Sequence, residues 1–128
     1  MSTCQNMGDY LFVEVSEPYS LNQIMTTIRE VADYCQKEDL NKVLVETRRM
    51  AGNPNILDRY RIGIEIVKIW GPRIKIAIIA RSDLVNHMTE NTAVNRGAKL
   101  IVTADIEHAL QWLEIEDHKE IPGAKFHD

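Results

Sequence analysis

Apolar residues along this chain follow two different spacings in turn. Residues 10–15 place apolar side chains at alternate positions, which is typical of a β-strand. Short apolar runs at 43–45, 73–80 and 99–103 predict three more strands. Between these runs, apolar side chains recur every three or four positions, which is the spacing of a helix with one buried face. The pattern therefore predicts strands and helices in alternation.

Polar capping residues predict where four helices begin. Ser, Asn and Asp side chains accept hydrogen bonds from the free N–H groups of a first helical turn. The predicted helices extend over residues 21–35, 56–70, 84–96 and 106–113, and they follow the capping residues Ser20, Asn55, Ser82-Asp83 and Asp105. Gln23 completes a capping box at the first helix.

The second predicted helix is apolar over most of its circumference. Its apolar face comprises Ile56, Leu57, Tyr60, Ile64, Val67 and Trp70. With Ile62, Ile66 and Ile69 the apolar arc reaches roughly 240°, whereas a surface helix needs little more than about 100°. Either neighbouring helices flank it on both sides, or these three isoleucines form a self-association face. Gly63 costs about 1 kcal/mol relative to Ala in a helix, which indicates a close packing contact there. Arg59 and Tyr60 are interpreted as structural residues that hold this helix against its neighbours.

The two faces of the predicted sheet differ in polarity. The first is uniformly apolar and comprises Leu11, Val13, Val15, Val43, Val45, Ile74, Ile76 and Ile78. The second is mixed and comprises Tyr10, Phe12, Glu14, Leu44, Glu46, Lys75, Ala77 and Ile79. A sheet with helices on both faces needs apolar residues on both. We therefore expect helices chiefly on one face, with the mixed face partly open or covered by one of the chain ends.

These features predict an α/β fold. The expected architecture is a single-domain (βα) superhelix of about four mainly parallel strands, with right-handed crossovers between neighbours. The domain is predicted over residues 10–113. Residues 1–9 form an N-terminal segment that is compatible with a short edge strand, and residues 114–128 form a polar tail.

Composition excludes few functional classes. The net charge of −4 gives no electrostatic support for nucleic-acid binding. No signal peptide opens the chain and no apolar run approaches the length of a membrane span, so we expect a cytoplasmic protein. Cys4 and Cys35 show no metal or redox spacing, and Cys35 is predicted to be a small core residue.

A ligand or partner site is predicted beyond the carboxyl ends of the strands, where parallel sheets place their sites. The residues of this rim are Thr47, Arg48, Arg49, Asn53, Asn55, Arg81, Asp83 and Asp105. Arg48, Arg49 and Arg81 suit a phosphate or carboxylate, because guanidinium groups bind both in a bidentate manner. The alternative is that these arginines form ion pairs with Asp58, Asp83 or Asp105.

Catalytic chemistry is not indicated by any motif. The four histidines lack metal-ligand spacing, and the nucleophile and phosphate-loop patterns are absent, so no metal, cofactor or catalytic residue is expected. Glu14 and Glu46 are expected side by side on the mixed face. Two close carboxylates can perform acid–base chemistry, but the simpler interpretation is a solvated pair near Lys75.

The order of these motifs resembles the small bacterial STAS / SpoIIAA-like domains, which are related in fold to anti-sigma-factor antagonists and to CRAL-TRIO lipid-binding domains. The resemblance covers roughly residues 8–113. It is carried by the KVLVE strand, the Leu-Asp-Arg-Tyr-Arg-Ile-Gly helix start at 57–63, Asn-Arg-Gly at 95–97 and the Asp-Ile-Glu-His-Ala-Leu-Gln-Trp-Leu helix at 105–113.

The resemblance implies a non-catalytic regulatory or protein-interaction module, with a protein partner or a second subunit. Anti-sigma antagonists carry a phosphorylated serine at the start of the second helix, whereas residues 53–57 here read Asn-Pro-Asn-Ile-Leu. A phosphoserine switch is therefore not expected. The alternatives are a domain that binds a small amphipathic or anionic ligand, such as a lipid or nucleotide, and a small enzyme of unknown reaction.

Overall fold

A five-stranded sheet forms the centre of the fold in a computed structural model that describes residues 2–85 and 87–115. The strands are β1 (Ser2–Asn6), β2 (Leu11–Val15), β3 (Lys42–Glu46), β4 (Lys75–Ile79) and β5 (Lys99–Thr103). They lie side by side in chain order. The strands β2 to β5 are parallel, and β1 pairs antiparallel with β2. The N-terminal segment thus supplies the fifth strand, at the edge of the predicted four.

Four α-helices accompany the sheet in the described part of the chain, and three of them begin at capping side chains. They are α1 (Leu21–Glu38), α2 (Ile56–Trp70), α3 (Met88–Val94) and α4 (Ile106–Leu113). Ser20, Asn55 and Asp105 each accept a hydrogen bond from a first-turn N–H group of α1, α2 and α4 respectively. The α/β class, the mainly parallel sheet and these three helix starts are confirmed.

The uniformly apolar sheet face packs against α1, α2 and α3. All eight of its predicted residues belong to one hydrophobic cluster that also contains buried residues of these helices, such as Ile28, Ile66 and Ala93. Cys35 is one of the buried members, as predicted. Three of the four helices therefore lie on one face, because each of them connects two neighbouring parallel strands.

The mixed face is covered, so the expectation of a partly open face is wrong, and the cover is mainly α4 and not the chain ends that were the alternative. Helix α4 packs on it, and Phe12, Leu44 and Ile79 form a second cluster with Leu110 and Leu113. The rule that places crossover helices on one face does not apply to α4, because within the described residues α4 follows the last strand and does not connect two strands of the sheet. The tail predicted over 114–128 lies outside the described residues except for Glu114 and Ile115, and Ile115 is buried in this cluster.

The third helix is shorter than its predicted extent of 84–96. Residues Ser82–Leu84 form a 3₁₀ turn instead, and α3 begins only at Met88. Ser82 and Asp83 are therefore not the cap of α3, which has no side-chain cap. The few apolar residues of this segment explain the difference, since helices are stabilised mainly by burying an apolar face.

Helix α2 turns a different face to the core than the one predicted. Its buried residues are Arg59, Ile62, Gly63, Ile66 and Trp70. Ile69 is partly buried against the same cluster. The proposed self-association face of Ile62, Ile66 and Ile69 is therefore wrong, because these side chains belong to the core. The alternative is confirmed, since α1 and α3 flank α2 on its two sides.

Gly63 marks the closest approach between α2 and α3. A Cβ atom on Gly63 would lie 2.8 Å from Thr92 Cβ and 3.0 Å from the Thr89 carbonyl oxygen. Neither atom can move easily, because the Thr89 oxygen is part of the α3 backbone and Cβ is the first side-chain atom of Thr92. The close packing contact expected at this glycine is confirmed.

Replacement of Gly63 by Ala is expected to destabilise the protein. Ala adds about 1 kcal/mol of helix propensity, but overpacking costs about 1–3 kcal/mol, so we expect a net loss of up to about 2 kcal/mol. Urea unfolding measures the difference, with Lys68→Ala on the exposed side of α2 as the control. A Gly63→Ala protein at least as stable as wild type would contradict the contact.

Candidate functional site

A largely apolar cavity of about 130 Å³ lies between the sheet and helices α1 and α2. Its floor is formed by the carboxyl-terminal halves of the strands, including Val13, Val45 and Ile78. Ile78 and Val102 face the helix layer yet are only partly buried, because they border this cavity. The cavity therefore lies at the edge of the sheet where the sequence predicted a site.

The mouth of the cavity is formed by loops at the carboxyl ends of β3 and β4. Gly52, Asn53 and Pro54 come from the loop before α2, and Arg81 and Leu84 come from the segment after β4. This second segment is a 3₁₀ turn where a full helix was predicted. The short α3 thus leaves a turn, not a helix, beside the mouth.

The loop before α2 is held in place by Tyr19. Its backbone N–H donates to the Ala51 carbonyl oxygen at 2.8 Å, and its phenol donates to Asp58 at 2.8 Å. Burial, together with this hydrogen bond to Asp58, raises the pKa of the Tyr19 phenol. Tyr19 therefore stays protonated and joins the start of α1, the loop and the first turn of α2.

Arg59 is the most buried charged group that lines the cavity. Its side chain belongs to the buried face of α2, with 9% of the residue exposed. Its Nε atom donates to the Pro54 carbonyl oxygen at 3.0 Å. Within residues 2–85 and 87–115, no carboxylate forms an ion pair with it, since the neighbouring Asp58 pairs with Arg61. Burial lowers the pKa of the Arg59 guanidinium, which nevertheless stays protonated near neutrality.

Arg81 is the second guanidinium at the cavity. It follows β4 directly, and its Nε atom is buried without a hydrogen-bond partner in the described part of the chain. The nearest carboxylate is Asp83, at 3.8 Å from this atom. The predicted pairing of Arg81 with Asp83 is therefore present, although it is too long for a hydrogen bond.

Arg48 and Arg49 are engaged by glutamates of the sheet. Arg48 contacts both carboxylate oxygens of Glu46, with Nη2 at 2.7 Å, and both side chains are nearly buried. The more exposed Arg49 pairs with Glu14 at 3.5 Å. Pairing of the rim arginines is thus confirmed, but for Arg48 and Arg49 the partners are glutamates and not the aspartates that were predicted.

Glu14 and Glu46 lie opposite each other on β2 and β3, as predicted. Their expected neighbour Lys75 is not involved, because it pairs with Glu114 at 3.3 Å and lies over the Trp112 ring. Each glutamate instead faces its own arginine. Both carboxylates are therefore held in ion pairs with guanidinium groups, which is a structural arrangement and not a free acid–base pair.

The remaining rim residues divide between structural roles and the cavity. Thr47 lines the cavity, and its hydroxyl donates to the Ile79 carbonyl oxygen at 2.8 Å. Asn53 lines the mouth, whereas Asn55 and Asp105 cap helices α2 and α4. Of the eight predicted residues, the structure therefore brings three to the cavity: Thr47, Asn53 and Arg81.

Comparison with models of known protein families finds no match. A search of curated proteins also finds no similar sequence. Membership of the STAS-like domains therefore stays a prediction, and the functional argument depends on the geometry of the cavity.

The position of Arg59 at the cavity was not predicted from the sequence. The signal was present, because Arg59 precedes Ile62, Gly63 and Ile66 by three, four and seven positions. That spacing places its side chain on the same helix face as three core residues. A helix that is apolar over most of its circumference hides this signal, since several alternative faces satisfy the pattern equally well.

Other reactive groups are unfavourably placed for chemistry at this cavity. Burial raises the pKa of the Cys35 thiol to about 11 and also raises that of Cys4, so both thiols are poor nucleophiles near neutrality. Over residues 2–85 and 87–115, no cluster of His, Cys, Asp or Glu is arranged to hold a metal ion. Across the same ranges, no helix has the length and apolarity needed to cross a membrane.

Removal of the Arg48 side chain is expected to destabilise the fold strongly. Glu46 would keep a buried charge without its partner, a change that typically costs about 3–5 kcal/mol. Urea unfolding of Arg48→Met measures the loss, and Arg49→Met at the half-exposed pair provides the control. Equal stability losses in the two variants would argue against a buried pair. The same would hold if the double variant Glu46→Gln/Arg48→Met were no more stable than Arg48→Met alone.

Proposed function

We propose that this domain is a non-catalytic binding module that takes a small, mostly apolar ligand into the cavity beneath the Tyr19-bound loop. The cavity itself carries this proposal. Its volume of about 130 Å³ is close to that of engineered apolar cavities, of about 150 Å³, that stay dry and bind benzene. A ligand with a body of about six carbon atoms fits a space of this size.

The energetic cost of an empty cavity supports a ligand. A sealed void of about 130 Å³ would cost roughly 3 kcal/mol at about 24 cal/mol per Å³, which is an upper limit here because the cavity opens to solvent at its mouth. A typical domain is stable by only about 5–15 kcal/mol. A ligand that fills the space restores the missing contacts, because dispersion forces require atoms on both sides of a gap.

The chemistry of the lining favours binding over catalysis. The polar side chains that border the cavity are those of Tyr19, Thr27, Thr47, Asn53, Arg59, Arg81 and Thr89. Hydroxyl, amide and guanidinium groups do not gain or lose protons near neutral pH. None of these side chains therefore acts as a general base, which is the first requirement for activating a hydroxyl nucleophile.

A regulatory role is compatible with the position of the mouth. Asn53 and Pro54 border the cavity. They lie in the segment that corresponds, by the resemblance to STAS-like domains, to the phosphorylated serine of anti-sigma antagonists. In this chain, occupancy of the cavity would change the surface near this segment without phosphorylation. The proposed module is therefore a STAS-like regulator whose input is a small molecule.

The cavity can be tested by filling it. Val13 is fully buried on β2 and borders the cavity, so Val13→Phe is expected to occupy the ligand space. Toluene should raise the melting temperature of wild type and not of Val13→Phe, because a ligand stabilises only the state that binds it. Val43→Ile, in the core but not at the cavity, is the matched control. Equal stabilisation of wild type and the filled, folded variant would refute the site.

A second candidate function is protein binding at the start of α2. Ile56, Leu57 and Tyr60 are 65%, 55% and 43% exposed and lie directly after the Asn53–Asn55 segment. Adjacent exposed apolar side chains of this kind are typical of interaction surfaces. A second copy of the chain or another protein bound here would lie beside the cavity mouth.

Self-association through this surface has a direct test. Light scattering should show a concentration-dependent dimer for wild type and a monomer for Leu57→Asp, because a charge in an apolar interface must lose its water. Lys68→Asp, on the exposed side of the same helix, should leave the dimer intact. A wild-type monomer at high concentration would refute self-association.

A further inference from the structure

We propose that the ligand of this cavity is a small carboxylic acid whose carboxylate binds Arg59 and whose apolar body fills the space behind it. This inference rests on the proposed binding function and adds the chemical class of the ligand. Benzoate and pentanoate represent the class, since each combines a single carboxylate with an apolar body that suits a cavity of about 130 Å³.

The hydrogen bonding of Arg59 leaves its terminal nitrogens for a ligand. Nε is occupied by the Pro54 carbonyl oxygen at 3.0 Å, which holds the guanidinium plane in position. Neither terminal nitrogen has a hydrogen-bond partner in the part of the chain that the structure describes. A guanidinium group presents its two terminal N–H groups in parallel, which matches the two oxygens of a carboxylate.

The charges around Arg59 leave it without internal compensation. Asp58 accepts from the Tyr19 phenol and pairs with Arg61. Glu46 is occupied by Arg48. The terminal nitrogens of Arg59 keep contact with solvent, so water is their partner in the empty cavity, and water offsets the positive charge less well than a carboxylate does. An anionic ligand supplies the missing partner.

The balance of charge favours a monoanion over a doubly charged phosphate. Arg81, the other guanidinium at the cavity, already has Asp83 at 3.8 Å. Arg59 therefore contributes one uncompensated positive charge, and a carboxylate neutralises it completely. A phosphate dianion would bring a second negative charge into an apolar space, where no further cation offsets the cost of its desolvation.

The test compares ligands of the same shape and different charge on the wild-type protein. Calorimetry should show that benzoate binds about tenfold to a hundredfold more tightly than benzamide, since a hydrogen bond to a charged group is stronger than one to a neutral group. Phenyl phosphate should bind more weakly than benzoate. A benzamide affinity equal to that of benzoate, or a tighter phenyl phosphate complex, would overturn the assignment of a carboxylate.

Variants at Arg59 test whether this residue binds the carboxylate of the ligand. Arg59→Met should abolish the preference for benzoate over benzamide and retain toluene binding, whereas Arg61→Met at an exposed position of α2 should leave the preference intact. Circular dichroism verifies the fold of each variant, and Arg59→Gln replaces Arg59→Met if the latter unfolds. A benzoate preference that survives in a folded Arg59 variant would overturn the role of this residue.

Toluene separates failure of this inference from failure of the proposed function. If wild type binds toluene but shows no preference for benzoate over benzamide, the assignment of a carboxylic acid is wrong and the cavity remains a binding site. If toluene and benzoate both fail to bind wild type, the proposed function fails, and the inference fails with it.

Discussion

The packing of α2 against the sheet is the constraint on which the rest of the structure depends. One stripe of this helix, from Arg59 through Ile62 and Ile66 to Trp70, lies against the apolar sheet face. Trp70 donates its indole N–H to the Ile28 carbonyl oxygen of α1 at 2.8 Å, and Gly63 allows α3 to approach on the other side. The positions of α1 and α3, and hence the walls of the cavity, follow from this placement.

The same stripe explains why a charged group reaches the interior. Arg59 occupies the first position of the buried face, where the helix meets the open end of the sheet and no strand side chain fills the space completely. An apolar residue at this position would extend the core. A guanidinium group instead gives the cavity a polar end near its mouth, so the cavity combines a large apolar wall with the guanidinium groups of Arg59 and Arg81, a composition typical of small-molecule pockets.

Three of the four helix starts, the strand positions and the residues of the two sheet faces were predictable because their causes are local. Capping by Ser20 or Asn55 needs only a few neighbouring residues, and the alternation in β2 and β4 is a property of each strand alone. The errors lie where several local solutions are equally good. The wide apolar arc of α2 permits more than one buried face, and the free connection after β5 permits α4 to lie on either side of the sheet. The glutamate partners of Arg48 and Arg49 were missed for a similar reason, since the predicted aspartates lie on the same rim.

By itself, the sequence determined the class of fold and the order of its elements, and it pointed to the edge of the sheet where the cavity lies, because hydrophobic spacing and helix caps act over short distances. The tertiary structure decided which arginine faces the cavity. Arg48, a predicted ligand contact, is neutralised by Glu46, whereas Arg59, interpreted as structural, lies buried without a carboxylate in the described part of the chain. The availability of a charge for a ligand depends on which partners the fold brings near it, and that is a property of the packed chain and not of any local pattern.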